Sequence, residues 1–252
     1  KKKLLFIESL LKGGGGHHMD NLIQSTIYFK ERNEIHWLVN ENFDKKKLYI
    51  PDEINLHKFI PEINSNFFVK IKIFLYSIFF FINEKKLIKF LNVFYKNFFT
   101  IPDYFNLKIY NFFKTQKFTS EDVIIIHSCR PKDIELIYFI SELIENMPKI
   151  IMRVLYPPKK KKLKNFYYYT EQLLKNKKSV KIFTEVSTIK DYIKQRINYD
   201  VKNFTHIYSF YNRPIPKNIT LGFLGESRVD KGFSRLPNFI NALSNKNINY
   251  NF

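Results

Sequence analysis

The apolar positions of this chain fall into two kinds of pattern. Short runs of consecutive apolar residues occur at 4–7 (Leu4, Leu5, Phe6, Ile7), 35–39, 150–155, 180–183 and 207–210. The clearest is at 122–129, DVIIIHSC, where four successive β-branched residues precede His127. Runs that are apolar on successive rather than alternate residues predict parallel strands buried on both faces. Between them the apolar residues recur at helical spacing. Met19, Leu22, Ile23, Ile27 and Tyr28 predict a helix over 17–32. Ile134, Ile137, Ile140 and Ile144 predict another, started by Pro131 and Asp133. Phe166, Tyr169 and Leu173 mark a third, and Ile189, Tyr192, Ile193 and Ile197 a fourth that starts at Thr184 and Glu185. Five or six strands alternating with helices predict an α/β fold, a doubly wound, Rossmann-like parallel sheet.

The stretch between the second and third clear strands reads differently. Residues 42–65 are polar and punctuated by Pro51 and Pro61, which predicts a loop region with one short strand at 48–50. Residues 67–82 are then almost wholly apolar, interrupted by Lys70 and Lys72. The uninterrupted part, 73–82, is ten residues, whereas a helix needs about 20 to cross a bilayer. It does not span. Residues 87–99 place Leu87, Leu91, Phe94 and Phe98 on one helical face and Lys89, Asn92 and Lys96 on another. Such a pair of helices either covers the sheet with its lysines solvated or docks on an anionic membrane surface.

Composition adds a strong charge. The chain has 252 residues, 45% of them apolar, and a formal net charge of +19 from 35 Lys and 7 Arg against 23 acidic residues. That charge suits an anionic partner, nucleic acid or lipid headgroups. It also suits codon drift in an AT-rich genome, since the chain holds one Ala and an excess of Lys, Asn, Ile, Phe and Tyr. The single Cys129 rules out an internal disulfide and fits a reducing compartment. The run at 4–7 is shorter than a signal-peptide core. A cytoplasmic location is the expectation.

The candidate chemistry sits at the ends of the predicted strands. Gly13, Gly14, Gly15 and Gly16 follow the first strand and precede the first helix, as a phosphate-facing loop or a plain flexible turn. The spacing excludes a dinucleotide fingerprint and a Gly-Lys-Ser/Thr loop. His127 stands at the C-terminal end of its strand, the edge at which open α/β sheets bind ligands, or serves there as a structural side chain. Four lysines at 159–162 belong to a solvated loop or meet an anionic lipid or an acceptor phosphate. His17 and His18 are adjacent and the other four His are scattered, so no metal-ligand spacing is present. No Gly-x-Ser-x-Gly elbow occurs.

Near the end of the chain, residues 219–243 read ITLGFLGESRVDKGFSRLPNFINAL. An apolar run broken by Gly222 and Gly225 leads into a polar turn and a helical pattern from Ser234, the strand, turn and helix that bring backbone N–H groups up to a phosphate. Gly225, Asp230, Lys231 and Gly232 make this stretch resemble the opening of the second domain of group 1 glycosyltransferases, retaining enzymes of the GT-B fold. Glu226 stands where that family has Arg, with Arg228 nearby as its candidate replacement.

The resemblance implies a Rossmann-like acceptor-side domain over 1–213, a linker at 214–218 containing Pro214 and Pro216, and the beginning of a truncated donor-binding domain over 219–252. It implies a nucleotide-diphosphate sugar as donor, gripped by Gly225, Arg228 and Lys231, and a Gly-Gly loop facing the cleft at Gly13 to Gly16. His127 then orients donor or acceptor. Cofactors and a bound metal are not expected. The acceptor is expected to be a lipid-linked or surface-glycan precursor in polysaccharide biosynthesis, met at the cytoplasmic face of a membrane to which the protein binds peripherally. As a fragment the chain is expected to be inactive by itself. The alternative is a basic α/β protein that binds nucleic acid through phosphate and stacking contacts. Against it, the aromatic residues follow apolar helical patterns rather than interleaving with basic ones on strands.

Overall fold

The structure, a computed structural model, describes residues 1–12, 17–44, 53–62, 66–155, 160–175, 179–197, 199–203 and 236–244. The chain divides into two compact units, Lys1–Ile207 and Tyr208–Phe252. In the second, the helix Leu236–Ser244 is described.

The first unit is built on β1 (Lys2–Glu8), β2 (Asn33–Asn40), β3 (Asn55–Ile60), β4 (Val123–Ile126), β5 (Lys149–Val154), β6 (Val180–Thr184) and β7 (Val201–Asn203). They form one sheet in the order β3-β2-β1-β4-β5-β6-β7, with every pair parallel. Successive residues of the central strands point to opposite faces and both faces are covered. Leu4 and Phe6 of β1, with Ile35, Trp37 and Val39 of β2, form one apolar cluster with Met19 and Leu22 of α1 (His17–Phe29). Leu5, Ile7, Ile124 and Ile126 enter a larger cluster on the other face. Burial on both sides is why these strands read as unbroken apolar runs.

The larger cluster is capped by α5 (Pro131–Leu143), α6 (Lys160–Lys175) and α7 (Ser187–Lys194), and toward β3 by α2 (Phe67–Asn83), α3 (Leu87–Lys96) and α4 (Leu107–Thr115). Helices on both faces make the sheet doubly wound and Rossmann-like. The strand order reverses direction between β1 and β4: β2 and β3 extend to one side of β1, β4 to β7 to the other. That junction is the topological switch point, and it leaves a crevice at the C-terminal ends of β1 and β4.

Several expected elements are corrected. Residues 42–65 are not all loop: β3 occupies Asn55–Ile60. It is an edge strand that pairs with β2 alone, and polar Asn55, His57 and Lys58 interrupt its apolar residues, so it does not read as an apolar run. The expected strand at 48–50 lies outside the described residues, as does that at 207–210. The last described strand of the sheet is instead β7, three residues long. The strand at 122–129 ends at Ile126, with His127 and Ser128 in a turn. Helix α4 occupies a stretch in which no element is expected. Its N-cap Asn106 accepts a hydrogen bond from Ile109 N at 2.9 Å and donates to the carbonyl of Phe59 at 2.7 Å, tying the helix to β3.

Candidate functional site

The crevice at the switch point collects polar side chains from segments far apart in sequence. Strand β1 ends in Glu8 and is followed by Ser9, both buried although both are polar. Beside them the first turn of α1 brings His18, and the turn after β4 brings His127 and Ser128. His18 Nδ1 lies 2.8 Å from Ser128 Oγ and 3.5 Å from Glu8 Oε2. Of the two, the Ser128 hydroxyl is within hydrogen-bond distance of Nδ1, and the buried Glu8 carboxylate lies beside the ring. Glu8, His18 and Ser128 thus form a carboxylate, imidazole and hydroxyl group at the mouth of the crevice.

A second group lies beside it at the start of α5. Pro131 occupies the first helical position, and Asp133 accepts a hydrogen bond from Arg130 N at 2.8 Å, closing the N-terminus. Asp133 also accepts from Ser9 Oγ at 2.5 Å. Arg130 Nη2 donates to Ser9 Oγ at 2.7 Å and to Tyr104 Oη at 2.5 Å. Asp133 is 1% exposed, and burial pushes its carboxyl up to about 6 in spite of the opposing pull of Arg130. Burial likewise raises the Tyr104 phenol to about 12. The buried Cys129 thiol is raised well above its ordinary value, chiefly by desolvation, so it is not a ready nucleophile.

His127 faces the α1 side of the sheet. Its ring stacks on Phe6, with centroids 5.5 Å apart and planes 9° apart. Arg153 Nη1 lies 3.2 Å from His127 Nδ1. A guanidinium only donates, so Nδ1 accepts, and in the neutral ring the proton sits on Nε2, which lies 3.2 Å from Ser25 Oγ. Arg153 also pairs with Glu185, which immediately follows β6. Both ring nitrogens of His127 are therefore engaged, which suits a group that orients its surroundings. Its ring, Phe6, Ser25, Ile125 and Arg153 line a mostly apolar chamber of about 220 Å³.

Of the residues singled out in the sequence, His127 is placed at the switch-point crevice. Gly13, Gly14, Gly15, Gly16, Gly225, Arg228 and Lys231 lie outside the described residues, as do the lysines at 159 and, in their side chains, at 160–162. The sequence reading missed Glu8, Ser9, His18, Ser128, Arg130, Asp133 and Arg153. One signal for the first pair was available: a Glu-Ser dipeptide directly after an apolar strand at the edge where ligands bind. Among the described residues no group of three or more His, Cys, Asp or Glu side chains could hold a metal ion. No protein-family model and no curated protein matches this chain.

Proposed function

We propose that this chain belongs to a glycosyltransferase that moves a sugar from a nucleotide-diphosphate sugar to a lipid-linked or surface-glycan acceptor, with retention at the anomeric carbon. The observation that carries the reading is the group Glu8, His18, Ser128 and His127 at the C-terminal ends of the two strands flanking the switch point. Ligands of doubly wound sheets lie in that crevice. Its side chains suit a hydroxyl-bearing substrate, since they both donate and accept hydrogen bonds. In this reading His18, steadied by Glu8 and Ser128, orients the acceptor hydroxyl. His127, fixed between Arg153 and Ser25, shapes the wall beside it. The role of Gly225, Arg228 and Lys231 in meeting the donor diphosphate rests on the sequence resemblance alone, fixed charge being what stabilises such a departing anion. The reaction takes place peripherally, at the cytoplasmic face of a membrane that supplies the acceptor.

Ligand-induced stabilisation tests the reading with the whole chain. At a hundred times its Kd a ligand adds about 2.7 kcal/mol to stability, so the melting temperature should rise by several degrees. We expect such a rise with at least one member of a panel of UDP-, GDP- and ADP-sugars and glycan acceptors, and its loss in His18→Ala. A flat response across the panel contradicts the reading.

A further inference from the structure

Helix α2 is apolar on all sides, yet only one side is covered. Phe81 and Ser77 are buried, and Ile73 and Phe74 pack on the core. The opposite side, reached by steps of three and four residues, carries Phe68, Leu75 and Phe79 in solvent, with Phe68 77% and Phe79 67% exposed. The neighbouring helix α3 likewise exposes Ile88 and Tyr95. A helix of 17 residues is about 25 Å long, so this is an apolar strip of the length of a small domain. Scattered exposed apolar residues need no explanation, but a continuous strip of aromatic ones marks an interaction surface.

The backbone supports the same conclusion. Phe98 and Phe99, which follow α3, both have left-handed conformations, φ 56° and 58°. They close the helix through Phe99 N to Phe94 O at 3.2 Å and Phe98 N to Tyr95 O at 3.0 Å. Bulky residues adopt this conformation at a steric cost of about 1 to 2 kcal/mol each. Here that cost presents two phenylalanines to solvent, 71% and 65% exposed.

Charge decides among possible occupants. Between 67 and 99 the sequence has six lysines, at 70, 72, 85, 86, 89 and 96, and one acid, Glu84. Among the described residues Glu84 pairs with Lys114, Lys70 with Asp103, Lys89 with Glu145 and Lys96 with Glu142. Lys72, Lys85 and Lys86 form no ion pair there. A second copy of the chain would set lysines against lysines. An anionic bilayer satisfies both halves of the surface, taking aromatic rings at headgroup depth and lysines at the phosphates. No helix among the described residues is long and apolar enough to cross a membrane. The strip can only lie on it.

We propose that the outward face of α2 and α3, with Phe98 and Phe99, is a docking surface for an anionic lipid bilayer. The strip also leads to the crevice. At the first turn of α2, Lys70 Nζ contacts Asp103 at 2.6 Å, Asp103 binds Lys132, and the neighbouring Tyr104 accepts from Arg130 at the crevice wall. Docking therefore brings the switch point close to the lipid surface. The inference does not depend on sugar transfer, and its test contains no sugar.

Co-sedimentation of the whole chain is measured with vesicles of phosphatidylcholine alone and with about 30% phosphatidylglycerol, enough to give the surface a negative potential. Binding should appear with the anionic vesicles and weaken as salt rises. Replacing Lys72, Lys85 and Lys86 by Gln should lower the partition coefficient about fivefold per lysine. Phe68→Gln with Phe79→Gln should lower it about tenfold per ring. All five positions are exposed or half-exposed, and unchanged circular dichroism melts verify folding. Phe79→Trp supplies a local probe, whose fluorescence brominated lipids should quench. Equal binding to neutral vesicles, no effect of either set of substitutions, or unquenched fluorescence from the Phe79→Trp variant would overturn the proposal. So would a stable dimer, or a nucleic-acid complex, that the Phe68 and Phe79 substitutions abolish.

Discussion

His18 and Ser128 are 110 residues apart in sequence, and His18 Nδ1 lies 2.8 Å from Ser128 Oγ. The contact joins the first turn of α1 to the turn after β4, and so closes the switch point from both sides. Ser128→Ala removes one of the groups that, among the described residues, hold the His18 ring. A misplacement of about 1 Å in such a group costs on the order of a hundredfold in rate. On the proposed reading, sugar transfer by the full-length transferase carrying this substitution should fall at least tenfold, while the melting temperature of the chain stays within a few degrees of the parent. Ser128→Thr, which keeps the hydroxyl, should recover much of the rate.

Asp133 should oppose stability as pH rises. Its carboxyl titrates near 6 in the folded chain, against about 3.9 in an unfolded one. A raised carboxyl favours the folded state fully below the unfolded value, and that contribution is lost as pH climbs from about 4 through 6. The difference corresponds to roughly 3 kcal/mol at neutral pH. Asp133→Asn cannot ionise, so its stability relative to the parent should improve across that window. Urea unfolding at pH 4, 5, 6 and 7 measures it.

The pair His36 and His57 carries the opposite sign. Their rings stack with centroids 5.4 Å apart, and His36 Nδ1 lies 3.2 Å from His57 Nε2. Burial lowers both imidazoles, and the neighbouring His36 lowers His57 further, to about 4. A depressed histidine contributes stability above its unfolded value, which is lost as pH falls from about 6.5 to 4. His57→Phe keeps a ring against Phe112 and should lose less stability than the parent over that interval.

The end of α2 offers a stabilising substitution. Lys85 has φ 55°, and the hydrogen bonds Lys85 N to Ile82 O at 3.0 Å and Lys86 N to Phe81 O at 2.9 Å close the helix around it. Glycine is the usual residue at this position because it has no Cβ to clash. Lys85→Gly should raise unfolding stability by about 0.5 to 1 kcal/mol, read as a higher urea midpoint with an unchanged slope.

These particulars explain what the sequence could reveal. Strands β1, β2 and β4 pack into apolar clusters on both faces of the sheet, and that burial writes itself into the chain as consecutive apolar residues. The edge strands are written faintly: in β3 polar Asn55, His57 and Lys58 interrupt the apolar residues, and β7 spans three residues. The candidate site was legible where one residue ends an apolar run, as His127 does. It was not legible where partners come from distant segments. Nothing local to His18 announces Ser128, and nothing local to Asp133 announces Ser9, 124 residues away. Those pairings are products of the strand order, which puts β4 beside β1. The exposure of Phe68 and Phe79 was hidden for a different reason, since an apolar helix reads alike whether a core or a membrane covers it.

The most direct test of the central claim is nitrogen NMR of the histidine rings in the whole chain, titrated with nucleotide-diphosphate sugars and glycan acceptors. The free protein should show His127 in its Nε2-protonated form, locked by Arg153 and Ser25. A true substrate should shift the ring signals of His18 and His127 together, saturably, and leave those of His36 and His57 in place. Saturable binding that moves neither His18 nor His127 would contradict a sugar-transfer site at the switch point.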